Sequence, residues 1–149
     1  MNNYKIEEVI AHSAPMILID KLLEFDDNTA HCQVEITAQS QFVKANSYVP
    51  SYVGIEYMAQ SVAAHAGAKA LNAGGKIDIG FLLGSRKYQT KVTQFFIGDV
   101  LDIFVTELHQ EESGLGVFDC KILLAGEEVA SAKVNAFQPK DPKSFIEES

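Results

Sequence analysis

An α+β fold, with one long central helix wrapped by a curved antiparallel sheet, is predicted by three features of this sequence. Residues 51–71, SYVGIEYMAQSVAAHAGAKAL, make a helix-length stretch almost free of charge. AHCQVEIT before it alternates without a fault: Ala30, Cys32, Val34 and Ile36 fall on one face, His31, Gln33, Glu35 and Thr37 on the other, as in a strand that covers a core on one side. Behind the helix every periodic segment has strand character, and no alternation of strand and helix suggests a parallel sheet.

Taken in order, residues 5–10 suit a helical turn, which AHSAP interrupts before PMILIDKLLEF, an apolar run of strand length. DDNT is a hairpin-type turn into the alternating strand, and a loop with Asn46, Ser47 and Pro50 leads into the helix. Within the helix Ile55, Ala59, Val62 and Ala66 form one apolar stripe, and Met58, Ala63 and Ala70 widen it. A helix apolar nearly all round belongs inside, and one of this length spans about 30 Å, the width of a small domain. NAGGK then stops it with glycines. IGFLLGSRKYQTKV is a long strand with a bend expected at Gly84. VLDIFVTEL, GVFDCKIL and EVASAKVNAF follow as a meander, with inward sets Leu101, Ile103, Val105, then Phe118, Cys120, Ile122, then Ala130, Ala132, Val134 and Ala136. One domain over residues 1–149 is expected, with a short helical turn in 1–10 and a surface tail in 139–149.

Composition narrows the function. With 47% hydrophobic and 21% charged residues the chain has enough apolar material for a core. The most apolar long stretch carries Glu56, Gln60 and His65, which argues against a membrane span or secretory signal and makes the cytoplasm the expected location. A formal charge of -8 argues against nucleic acid. Cys32 and Cys120 lie far apart without CxxC spacing and read as buried thiols. No histidine or cysteine cluster has metal-ligand spacing, and no glycine-rich strand-to-helix loop implies a nucleotide, so no metal and no cofactor are expected. Arg86 is the only arginine and sits in SRKYQTK, the most basic short segment. It is either a solvated strand face or a landing site for an anionic group.

Glu56 poses the chemical question, because it shares a helix face with Gln60, Ala63 and Gly67. It either reaches water from the first turns, where the helix dipole favours a carboxylate, or it is a sequestered functional acid. Desolvation would favour its protonated form, which a general acid needs.

PSYVGIEYMAQ resembles the PGxxxxEAxAQ signature of bacterial 3-hydroxyacyl-acyl-carrier-protein dehydratases, with Pro50 six residues before the acid and Glu56, Ala59 and Gln60 in place. HSAPMILID is similar to that family's HRxPFLLVD at His12, Pro15 and Asp20; FIGDVLDI resembles its PGDxL strand start at Gly98 and Asp99; GVFDCKILLAGEEVASA is similar to its closing hairpin. The resemblance runs from about residue 8 to about 138, with a segment around SRKY a few residues longer here. It implies the hotdog fold, a sheet wrapped around a central helix, and dimers joined edge to edge with active sites at the interface. In that family a histidine in GHFP, fourteen residues before the acid, removes the proton beside the thioester carbonyl while the acid protonates the departing hydroxyl. Phe42 holds that position here, and no GHFP exists.

Among the other histidines, His31 lies on a polar strand face, His109 precedes a turn, and His65 is nine residues from Glu56, on the opposite face of the helix. His12 remains as the candidate replacement base, although it matches a family histidine that is not catalytic. Asn46 and Ser47 can orient a water or bind a carbonyl, Gln60 can position a water, and Arg86 can meet an anionic carrier. A narrower likeness is to the predicted dehydratases encoded with aryl-polyene biosynthesis, which share an APM-L-D opening, an IEYMAQ-like helix and an LLG-R-Y strand, and also lack GHFP. It implies work on a chain carried by acyl carrier protein or coenzyme A, beside a second dehydratase. Three functions follow as expectations: a 3-hydroxyacyl-thioester dehydratase with Glu56 as acid, a non-catalytic partner of an active dehydratase, and a thioesterase. A homo-oligomer, a dimer or a multiple of one, is expected for the first, and a hetero-oligomer for the second.

Overall fold

The computed structural model describes residues 4–10, 17–75 and 81–137. It opens with a short helix α1 (Ile6–Val9), then β1 (Lys21–Phe25), β2 (Thr29–Glu35), β3 (Tyr48–Pro50), a 3-10 turn (Ser51–Val53) and the long helix α2 (Gly54–Asn72). β4 (Phe81–Thr90), β5 (Gln94–Phe96), β6 (Val100–Gln110), β7 (Leu115–Leu124) and β8 (Glu127–Phe137) complete it. Six strands form one antiparallel sheet in the order β1-β2-β6-β7-β8-β4, and β3 and β5 pair separately.

Period-two alternation places the inner faces as the sequence predicts. Ala30, Cys32, Val34 and Ile36, with Leu101, Ile103 and Val105, Phe118, Cys120 and Ile122, and Ala130, Ala132 and Val134, are all buried against α2. Small residues on β8 let the helix approach. Each large apolar side chain so buried contributes on the order of 1.5–3 kcal/mol. α1 closes another side of the helix: Gly67 packs so tightly that an added Cβ would lie 1.9 Å from the Val9 carbonyl oxygen.

Four details differ from expectation. Within the described part of the apolar run, residues 17–25, strand begins only at Lys21, because the Leu18 and Ile19 amides turn to Gln60 rather than to a neighbouring strand. β3 and β5 are three residues each, too short for any periodicity to reveal, and β3 ends on a proline. On α2 the fully buried set runs through Tyr57, Met58, Ser61, Val62, Ala64, His65 and Ala68, whereas Ile55, Ala59, Ala63, Ala66 and Ala70 are only half-buried. The expected apolar stripe is therefore mostly the helix's outer side. Finally, β4 carries an extra residue: Arg86 opposes Lys133 and Gln89 opposes Ser131, with Lys87 at φ 57° forming the bulge. This bulge falls within the SRKY segment.

Candidate functional site

The start of α2 is built from both sides. Pro50 pairs with Gln94, and the Ser51 amide donates to the Thr93 carbonyl at 3.0 Å, so the β3–β5 ribbon sets where the helix begins. The 3-10 turn then delivers Gly54, and no side chain caps the first amides of α2. Glu56 stands in this first turn.

Of the two alternatives the sequence leaves for Glu56, the chain alone shows the first, a side chain exposed to water. The reason is geometric. Tyr57 and Gln60 point toward the sheet and the segment before β1, which leaves Glu56 and the alanine side of α2 facing away. Gln60 is 3% exposed, and its Oε1 accepts the Leu18 amide at 2.7 Å and the Ile19 amide at 3.4 Å. Its Nε2 donates weakly to Glu56 Oε1 at 3.5 Å. Gln60 is thus a bracket whose other end steadies the acid.

The remaining candidates do not converge on Glu56 within the chain. His12 lies outside the described residues. Asn46 is exposed at the tip of a tight turn closed by Ser47 N–H donating to Lys44 O at 3.0 Å, and both Ala45 and Asn46 have φ 52°. Two left-handed residues in succession define a hairpin turn of the primed type, a backbone task that asparagine suits well. Arg86 opposes Lys133, on the sheet face away from α2, and is exposed there. Phe42, at the position of the family's base, has φ 69° and is 57% exposed.

Nor do the other histidines reach the acid. His31 lies on the outer face of the sheet, with Nε2 2.7 Å from Asp102 Oδ1 and its ring stacked on Phe104 at 4.2 Å. It is half-buried and paired, where the sequence suggested only a solvated side chain. His109 is exposed, 3.7 Å from Glu111. His65 is buried with Nε2 2.9 Å from the Asp26 carbonyl, which can only accept, so Nε2 carries the proton. Burial holds His65 below its ordinary pKa, and the Asp26 bond opposes that shift.

A cleft of about 870 Å³ lies at the far end of α2 among Tyr4, Phe25, Asp26, Asn28, Lys69 and Asn72, remote from the acid. A smaller one of about 260 Å³ adjoins the helix start, between Leu18, Asp20, Thr37, Gln39 and Tyr57. Burial drives the Tyr57 phenol up to about 12, with the Asp20 charge adding to the effect, so Tyr57 is a neutral wall. Glu56 lines neither cleft. Among the described residues no group of three or more His, Cys, Asp or Glu is placed to hold a metal, and no helix is long and apolar enough to cross a membrane. Cys32 and Cys120 are free and buried, and burial drives the Cys32 thiol up to about 12.

A long helix cradled by a six-stranded antiparallel sheet, with a carboxylate in the helix's first turn, defines a hotdog protein. Residues 4–147 match the ApeP-like family, ApeP dehydratase, and the chain belongs to that family. Among solved structures it is similar to the dehydratase heterocomplex ApeI:P from Xenorhabdus doucetiae, at 28% identity over 99% of this chain and 98% of that chain, with a TM-score of 0.90. A hypothetical thioesterase with coenzyme A from Streptococcus pneumoniae TIGR4 shares the fold at 15% identity, over 79% of this chain and 84% of that chain, TM-score 0.62. So does the E. coli PaaI protein of the phenylacetic acid degradation operon, at 16% identity over 78% and 80%, TM-score 0.61. No curated protein sequence matches the chain. The signal that sequence reasoning missed is Tyr88, whose inward direction depends on the β4 bulge.

Proposed function

We propose that this chain is the acid-bearing subunit of a two-chain dehydratase acting on 3-hydroxyacyl thioesters in aryl-polyene biosynthesis. The observation that carries this is the exposed Glu56 at the start of α2, steadied by Gln60, with none of the described histidines bonded to it. A base removes the proton on the carbon beside the thioester carbonyl. Glu56 gives its proton to the hydroxyl leaving the next carbon, so water departs, the carbon–carbon double bond forms, and the base's proton returns to Glu56 for the next turnover. The amides that follow Gly54 at the start of α2, where no side chain caps the helix, suit the carbonyl oxygen as charge builds on it. The second chain supplies the base and the cover that Glu56 lacks here. Membership of a dehydratase family and similarity to a two-chain dehydratase complex support the reading.

Substrates ride on an acyl carrier protein, an anionic partner for which Arg86, Lys87 and Lys91 offer an exposed basic stretch in a chain of net charge -8. The test is dehydration of a 3-hydroxyacyl thioester by this chain assembled with its second dehydratase subunit. Glu56→Gln in this chain should cost about 10²–10⁴ in rate. An unchanged rate would make the chain a non-catalytic partner, and release of free thiol without enoyl product would make it a thioesterase.

A further inference from the structure

We infer that Tyr88 is the positioning residue for the Glu56 turn, delivered by the Lys87 bulge and dependent on glycine at position 54; this rests on Glu56 being the acid. β4 is the last strand of the sheet, paired only with β8. Arg86 and Gln89 oppose Lys133 and Ser131, both on the outer face between the buried Ala130, Ala132 and Val134. Strict alternation from Arg86 would send Lys87 inward and Tyr88 out to solvent. The extra residue at the bulge, with Lys87 at φ 57°, reverses this and turns the phenol toward α2.

There the Tyr88 hydroxyl donates to the Ser51 carbonyl across 37 residues of sequence, a short bond at 2.5 Å. The same carbonyl accepts the Gly54 amide, so the phenol grips the peptide that starts the helix. Ser51 is then held at both ends, its amide on Thr93 and its carbonyl under Tyr88. Gly54 leaves the space: an added Cβ would lie 2.3 Å from the Tyr88 hydroxyl and 3.0 Å from Ile122 Cδ1. Since φ at Gly54 is -55°, ordinary helical backbone, the glycine serves the close approach and not a special turn. Glu56 follows in the next residues of the same turn. A dehydratase needs its acid and its helix-start amides fixed relative to one another, and misplacement costs rate more than binding. Tyr88 fixes the turn that carries both, from the edge strand of the sheet.

Tyr88→Phe removes the hydroxyl and keeps the ring. Two measurements decide the matter, with Tyr52→Phe as a control on an exposed phenol in the same turn. Hydrogen exchange at amides 54–57 should quicken about three- to tenfold in Tyr88→Phe, with β6 and β7 unchanged. In the assembled enzyme kcat should fall about tenfold while KM stays within about twofold. Gly54→Ala should disturb the same amides, and combining it with Tyr88→Phe should do less harm than the two changes summed. Unchanged exchange at 54–57, exchange raised equally throughout the sheet, or strict additivity would overturn the inference. Exchange is read without substrate, so a wild-type assembly with no dehydratase activity would count against the acid role of Glu56 while the exchange result still judged Tyr88.

Discussion

Gln60 and Glu56 sit one helical turn apart and carry opposite burdens. Gln60 is buried and satisfies two amides of the chain entering β1, so Gln60→Leu strands the Leu18 amide and should cost about 1–3 kcal/mol in urea unfolding. Glu56 is exposed on the single chain, so Glu56→Gln should change stability by less than about 0.5 kcal/mol while abolishing most activity. A glance at the sequence finds both residues. Which of them is buried depends on the segment before β1, and only the fold shows that. His65 gives the residue-scale pH prediction. Burial depresses its pKa from the ordinary 6.5, against Asp26 at the end of β1, with Lys69 on α2 adding to the depression and Glu107 on β6 opposing it. The unfolded chain therefore takes up this proton first as pH falls through about 6.5. His65's contribution is complete above that range and is lost as pH drops toward its folded value. His65→Gln should flatten the fall in unfolding free energy between about pH 7 and pH 5; an unaltered slope would assign that fall to other groups.

Elements with long, regular patterns were legible, and those defined by one or three residues were not. β2, β6, β7 and β8 alternate over seven to eleven residues, and the residues predicted to face inward are buried except Ala136, which is half-buried near the end of β8. Alternation cannot reveal β3 and β5, nor the bulge that adds Lys87, because a single inserted residue looks like any other until its neighbours are paired. The stripe on α2 failed for a related reason: alanine falls on both sides, with Ala59, Ala63, Ala66 and Ala70 half-buried and Ala64 and Ala68 buried, so hydropathy could not orient the helix. Gly67, in contrast, has an element-scale role that a variant exposes. Gly67→Ala would force the Val9 carbonyl away from α2 and loosen α1, whose Ile6 and Val9 are buried. Overpacking of this kind costs about 1–3 kcal/mol. Faster exchange confined to α1 and the facing turn of α2 would confirm it, and wild-type exchange there would deny it.

At the scale of the whole molecule, hotdog architecture followed from the burial argument and from the family signature alike. The environment of the acid did not, since the described chain leaves that carboxylate exposed. Arg86 belongs to the same scale. On the sheet face away from α2 it cannot meet the reacting atoms in this chain, yet it can meet an anionic carrier. Arg86→Glu should therefore slow carrier-bound substrate several-fold more than a short thioester mimic, with the gap closing as salt is raised. The most direct test of the two-chain account is a titration at fixed concentration of this chain with its second dehydratase subunit, following enoyl-thioester formation. The account predicts a rate that climbs to a break at equimolar chains, and a flat line when this chain carries Glu56→Gln although the assembly still forms. A rate set by the second subunit alone, indifferent to this chain and to Glu56, would contradict it.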